Sequence, residues 1–571
     1  MTYLFPIEEG EFWWGGSTGA AVCTLTRDSA YRENFLDECS NQTMPLYVSS
    51  KGRCIWSENP FAVEIVDGAF VMEGADIELV QAGETLRDAY LSAMRAHFPC
   101  DRRALPDEFF RTAQYNTWME FTYRPTQEGV LAFARGYVAH GYRPGIFIID
   151  EGWHGRYGDW RFDEARFPDP RKMVDELHEM GFTVLLWVVP YVCPDGEKFI
   201  RSIRPDIGGK KEAEKGLYLR TRTGEVALLK WWNGYSAALN LANPIDAEFL
   251  DEQLQALMRD YGVDGFKFDG GTPHGYTNAN VVDGELDTAL TPHELNIAWN
   301  RFGSRYPFHE YKDTWKGGGH NTIQRLRDKN HRWRGGVDQL IPCALNCGLI
   351  GHPFICPDMV GGGEWSFKAN PNCRADEELF VRMAQCSALF PMIQFSWAPW
   401  EALSAENARL CAEAAALHAD MAAEILALVR EAEQTGEPIL RSLEYNDPHQ
   451  GFAPITDEFM LGENLLVAPV LEKSARQRRV AFPKGRWMDA NGREYEGRQT
   501  RTLPAPLNTL LWFRRVLRSS ARVSLFSTCI LADARRLRLH RREIIAVNRR
   551  ADARPETLPP FSNRACRVSM K

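Results

Sequence analysis

Gly265-Phe266-Lys267-Phe268-Asp269-Gly270-Gly271 is an apolar strand that ends on a carboxylate and a pair of glycines. A carboxylate closing such a strand is costly to desolvate unless it is paired or used. Lys267 stands two residues before Asp269, so both side chains project to the same side of the strand. Upstream, Asn243-Pro244 supplies an N-cap and a proline suited to the first helical position. Ile245, Phe249, Leu250, Leu254, Leu257, Met258 and Tyr261 then share one helical face, and Gly262 closes the helix. Helix, strand and strand-end acid make one unit of a repeating pattern.

The pattern runs from about residue 107 to 400. Strands are expected at 112–118, 145–150, 183–192, 265–269, 308–312, 322–326, 353–358 and 392–396, with helix-like runs such as 169–181 between most of them. Eight β/α units in about 290 residues predict an α/β fold, a (β/α)8 TIM barrel with its site at the C-terminal strand ends. Asp150, Asp269 and Asp358 close three of those strands, and Asp328 lies just past a fourth. One such acid is an ordinary cap or ion-pair partner; four at corresponding places point to a site. Residues 194–238 are too long for a loop and are expected to form an insertion over that face.

The flanks have a different texture. Residues 1–84 are short alternating runs broken by Gly, Asn and Asp, as in antiparallel sandwich strands, and a helix follows at 85–97. One long amphipathic helix is expected over 405–433, after which 438–515 returns to strands and turns. The expected division is an N-terminal β-sandwich domain (1–106), a catalytic barrel (107–432), a C-terminal β-sandwich domain (433–516) and a tail (517–571). Residues 514–571 hold 14 Arg and one Lys against four acids and no Gly, while the rest of the chain is strongly acidic. That break in composition suggests that the tail lies outside the catalytic unit.

The chain has 571 residues, 44% hydrophobic and 25% charged, which is globular composition. A net charge of −9 argues against a nucleic-acid partner. No apolar run approaches the ~20 residues of a membrane span. The first residues lack a basic-then-apolar leader, and the 13 Cys are scattered without a CxxC pair, so a cytoplasmic protein with reduced thiols is expected. There is no HxH or HExxH, no GxGxxG or phosphate loop, and no Gly-x-Ser-x-Gly elbow, so neither metal nor cofactor is expected. Carboxylates with 17 Trp remain, the toolkit of glycoside hydrolysis.

At this point the residues carry a family likeness. The 265–271 stretch resembles the nucleophile strand of glycoside hydrolase family 31. So do Asp150 with Gly158-Asp159, Phe162-Asp163 and Phe167-Pro168, and Lys230-Trp231-Trp232-Asn233-Gly234 leading to Ala242-Asn243-Pro244. Pro353-Phe354 and Asp358-Met359-Val360-Gly361 fit as well, and the resemblance covers 107–515 in order. Arg325-Leu326-Arg327-Asp328-Lys329-Asn330, up to Trp333, resembles the acid/base segment of the branch with myogenesis-regulating glycosidase and bacterial α-galactosidases. Gln394 and Ser396 stand where the α-glucosidase branch usually has Arg and His, and Lys312 where it usually has Arg; Lys keeps the charge but loses the fork geometry.

The resemblance implies retaining hydrolysis of terminal α-linked sugars, an α-galactoside first and an α-glucoside or α-xyloside as alternatives. Asp269 would be the nucleophile and Asp328 the acid/base. Lys267 would keep Asp269 ionised while Asp328 holds its proton, the alternative being that it only neutralises Asp150 or another buried acid. Asp150 would bind hydroxyls at the far side of the sugar. Trp118, Trp187, Trp231 and Trp232 are candidates for flat faces, some of them ordinary packing and Trp232 first among them, with Lys312, Arg325, Asp358 and Gln394 around the sugar. Arg325 would pair with Asp328 or Asp358, and Asp358 would touch the sugar or support the site from behind. The expected partner is a glycoside or oligosaccharide, and self-association is a further expectation. A sugar-binding barrel without turnover is the competing class; the presence of both Asp269 and Asp328 favours the enzyme.

Overall fold

Strand Gly265–Phe268 is buried along its whole length and pairs in parallel with Thr183–Val188 on one side and Phe308–Tyr311 on the other. Burial on both faces is why its sequence is continuously apolar apart from Lys267. The parallel sheet runs Ile355–Cys356, Gln324–Arg325, Phe308–Tyr311, Gly265–Phe268, Thr183–Val188, Ile146–Ile149, Gln114–Asn116, Gln394–Phe395 and Met359–Val360. In the chain only Pro357-Asp358 separates its two outermost strands, so the sheet curls into a TIM barrel. The computed structural model describes residues 1–516 apart from 20–23, 40, 205, 207–215, 365, 368–369 and 371–373. The basic tail lies outside the described residues.

Every expected barrel strand is present, but most are shorter than the sequence suggested. The strand expected over 353–358 shortens to Ile355–Cys356, and a further piece, Met359–Val360, follows Asp358, which takes a φ of 143°, a conformation costly for a residue with a side chain. The strand expected over 183–192 ends at Val188. Tyr191–Val192 turns away to pair with Gly234–Ala238, which forms a hairpin with Leu228–Trp231 in the insertion.

Local chemistry sets the helices. Asn243 caps Pro244–Tyr261 by accepting the Ile245 N–H, and Gly262 ends it at a φ of 80°. Leu250, Leu254 and Leu257 bury its inner face, each contributing about 1.5–3 kcal/mol. Asp169 caps Pro170–Glu179 in the same way, through the Lys172 N–H. The single helix expected over 405–433 is two, Ala405–Asp420 and Ala422–Thr435, broken at Met421. The first packs on Glu377–Ser387 and the second on Glu108–Arg111.

The N-terminal region holds two antiparallel sheets. Thr2–Pro6, Ala69–Glu73, Ala62–Val66 and Arg32–Asn34 form one; Trp13–Ser17, Gln42–Ser49, Arg53–Trp56 and Glu78–Gln81 form the other. Phe70 and Val63 from the first meet Trp13, Tyr47 and Ile55 from the second in one core. The second sheet also takes Thr314–Trp315 from the barrel region as a parallel strand beside Gln42 and Thr43. At the other end, a six-stranded and a two-stranded antiparallel sheet share a core of Leu443, Met460, Phe482, Trp487 and Phe513. No helix among the described residues is long and apolar enough to cross a membrane.

Candidate active site

The C-terminal strand ends surround a cavity of about 300 Å³. Asp150, Lys267, Asp269, Lys312, Arg325, Asp328, Trp118, Trp187 and Trp232 all line it, so nine of the twelve expected site residues come together. Asp358, Gln394 and Trp231 do not.

Asp269 sits on a fixed seat. Trp187 Nε1 donates to its Oδ2 at 3.0 Å, and the Gly270 N–H donates to Oδ1 at 2.8 Å. Burial alone would raise its pKa, but Lys312, Lys267 and Arg325 together hold it below the usual carboxylate value. Trp187 is therefore a buried donor and not a flat platform. Lys267 Nζ lies 2.5 Å from Asp150 Oδ2, and it lowers the Asp269 pKa through its charge alone. Register explains the placement, since Trp187, Lys267 and Glu310 are paired across three neighbouring strands. Asp150 is further held by Asn116 Nδ2 at 2.8 Å and, through Oδ1, by the Glu151 N–H at 2.8 Å.

Asp328 is gripped by two cations. Lys312 Nζ is 2.9 Å from Oδ2, and Arg325 Nη1 is 2.7 Å from Oδ1. Burial opposes ionisation, yet these cations hold the carboxyl far below its ordinary value. The expected proton on Asp328 is therefore opposed in this arrangement by both cations, which favour the charged carboxylate. Arg325 also reaches Asp358 Oδ1 at 3.1 Å and Glu310 Oε1 at 3.4 Å, so it joins three acids.

Asp358 is fully buried and accepts the Lys329 N–H at 2.6 Å. It anchors the segment carrying Asp328 from behind. Gln394 lies deeper still, donating to Gln114 Oε1 at 3.0 Å and Glu310 Oε2 at 3.2 Å. Neither lines the cavity: Asp358 takes the supporting place, and Gln394 is corrected as a sugar-binding residue. Trp231 is also corrected: it packs between Tyr157 and Tyr191, with ring centroids 4.8 Å from each. Trp232, at the hairpin turn, is 53% exposed and keeps a face to the cavity; Trp118 is half-buried with its N–H on the Gly363 carbonyl at 3.3 Å.

Three lining residues were not foreseen: Tyr123, Glu151 and Asp313. Glu151 accepts from Tyr157 Oη at 2.8 Å and from Asn233 Nδ2 in the insertion. Burial pushes it up to about 8, the Tyr157 hydrogen bond opposes this, and the Asp150 and Asp269 charges add to it. Burial likewise lifts Asp313 to about 6, against the pull of Lys312. The signal was present, because Glu151 and Asp313 each directly follow a residue assigned to the site. Among the described residues, no three His, Cys, Asp or Glu side chains converge to hold a metal ion.

The geometry agrees with comparisons to known proteins. The TIM-barrel domain of glycosyl hydrolases family 31 matches residues 109–401, and the C-terminal domain of the same family matches 436–516. The chain belongs to glycosyl hydrolase family 31. It is 31% identical over 433 residues to myogenesis-regulating glycosidase of Mus musculus, covering 73% of this chain and 58% of that protein. To alpha-glucosidase 2 of Bacillus thermoamyloliquefaciens it is 28% identical over 415 residues, or 67% and 50% of the two chains. The chain thus spans about half the length of these relatives. A family 31 dextranase of Flavobacterium johnsoniae, complexed with glucose, superposes with a TM-score of 0.75 at 19% identity, covering 90% of this chain and 66% of that one. That likeness shows the fold.

Proposed function

We propose that this family 31 chain is a retaining α-glycosidase acting on terminal non-reducing sugars, with Asp269 as nucleophile and Asp328 as acid/base. The observation that carries it is that both carboxylates line one small cavity, Asp269 seated on the Trp187 and Gly270 N–H groups and Asp328 between Lys312 and Arg325. Asp269 attacks the anomeric carbon while the glycosidic oxygen leaves with a proton from Asp328. Asp328 then takes a proton from water, the water attacks the glycosyl-enzyme, and the sugar departs with Asp269 restored.

The first step needs a protonated Asp328, so the grip of Lys312 and Arg325 has to relax. Sugar hydroxyls entering the cavity accept hydrogen bonds from these cations and compete with Asp328 for them. Lys312 is the one able to move, with a side chain 21% exposed against 2% for Arg325. Asp150, clamped by Lys267, presents a fixed acceptor to hydroxyls, and Trp232 and Trp118 cover the apolar face of the ring.

An α-galactoside is the first sugar to test, because the segment with Gln394 and Ser396 resembles the branch with myogenesis-regulating glycosidase and bacterial α-galactosidases. The names of the matched relatives support α-glycosides as a class and do not single out galactose. A panel of p-nitrophenyl α- and β-glycosides, with the product anomer read by NMR, tests the proposal. Release from α-galactoside ahead of α-glucoside and α-xyloside, with the α-anomer appearing first, is expected. Sugar binding without release from any α-glycoside would refute hydrolysis; release of the β-anomer first would refute retention.

A further inference from the structure

Gln42 comes from the N-terminal sheet, 270 residues from Lys312 in sequence, and is fully buried. Its strand runs parallel to Thr314–Trp315, with Gln42 opposite Thr314. The side-chain amide nitrogen donates to the backbone carbonyl of Lys312 at 2.7 Å and to that of Arg325 at 3.0 Å. Gln324 Oε1 lies 3.3 Å from the same nitrogen. Thr18 Oγ1 donates to Gln42 Oε1 at 2.8 Å, which fixes the way the amide faces.

The barrel ladder is thin at this point. Phe308–Tyr311 and Gln324–Arg325 share one register pair, Tyr311 with Gln324. Lys312 and Arg325 follow immediately, and their side chains converge on the two oxygens of Asp328. A single amide therefore bridges the backbones of the two residues that hold this carboxyl.

We propose that Gln42 is a positioning residue for the acid/base step: through it, the N-terminal sheet sets the spacing of the two cations that grip Asp328. The inference rests on the reading of Asp328 as the acid/base. An apolar replacement leaves two buried carbonyls without their donor, and a buried acceptor recovers its partner by shifting the backbone that carries it. The cations shift with that backbone.

The test uses the full chain and aryl α-glycosides of one accepted sugar, with leaving groups graded from phenol to dinitrophenol. Gln42→Leu, Thr18→Val and Asp328→Ala are compared by kcat/KM, with melting temperature as a check on folding. Gln42→Leu should cut the phenyl substrate by about tenfold or more and the dinitrophenyl substrate by less than about threefold, in the same sense as Asp328→Ala. Thr18→Val keeps the two carbonyl contacts, should show the same trend more weakly, and carries the comparison where Gln42→Leu fails to fold. Equal loss on both substrates in the Gln42 and Thr18 variants would overturn the inference and leave them merely structural. Absence of leaving-group dependence in Asp328→Ala itself would instead overturn the acid/base reading, and this inference with it.

Discussion

Removing Lys267 tests the electrostatics beneath the cavity. Its Nζ is 2.5 Å from Asp150 Oδ2, and both side chains are 3% exposed. At that distance and an effective dielectric of about 20, the attraction is about 7 kcal/mol. Burying two ions costs several kcal/mol apiece, so the intact pair comes out near break-even. Losing one partner does not. Lys267→Met leaves Asp150 with the Asn116 and Glu151 N–H donors but no counter-charge, and takes a cation from Glu310. The expected loss is about 3–5 kcal/mol. Urea denaturation followed by tryptophan fluorescence reads it as a lower midpoint at unchanged slope. The double variant Lys267→Met/Asp150→Asn removes both charges and should be more stable than Lys267→Met alone, because the two sites are coupled. If the two losses simply add, the pair is not the electrostatic unit described here.

Asp328→Ala should lower kcat/KM by about 10²–10⁴ for poor leaving groups and much less for dinitrophenyl or fluoride substrates. Asp338, which accepts the Gly335 N–H at 2.9 Å away from the cavity, should affect both alike and mildly when changed to Ala. Glu151, raised from 4.5 to about 8, binds a proton in the folded state that the unfolded chain has already lost. Its contribution to stability is therefore present at low pH and lost as pH rises between those values. Glu151→Gln should accordingly gain melting temperature relative to the wild type between pH 5 and 8, and a constant difference would refute the shift. Truncation after Val516 should leave activity and melting temperature nearly unchanged; loss of soluble protein would tie the basic segment to the fold.

Much of the barrel was readable because strand and helix periods differ, and because Asn243 and Asp169 are caps at recognisable places. The gathering of Asp150, Asp269 and Asp328 followed from the rule that strand ends meet at one face. What stayed hidden depends on depth and distance. Alternation says which side of a strand Gln394 takes but not how far down the barrel it lies, and it belongs to the layer of Gln114 and Glu310. Lys312 lies 16 residues from Asp328 in sequence, so only the folded chain shows that both it and Arg325 close on one carboxyl. The helix break at Met421 has no Pro or Gly to announce it. The strain at Asp358 becomes visible only as a backbone angle. The Gln42 bridge joins segments 270 and 283 residues apart, beyond any local pattern.

The central claim is that Asp269 forms the covalent bond to the sugar. A 5-fluoro-α-glycosyl fluoride of the preferred sugar slows hydrolysis of the glycosyl-enzyme and lets it accumulate. Proteolysis and mass spectrometry of the inactivated protein should then find one sugar on the peptide bearing Gly265-Phe266-Lys267-Phe268-Asp269, attached to Asp269. A sugar attached to Glu151 or Asp313, or an Asp269→Ala variant that still becomes labelled, would contradict the account.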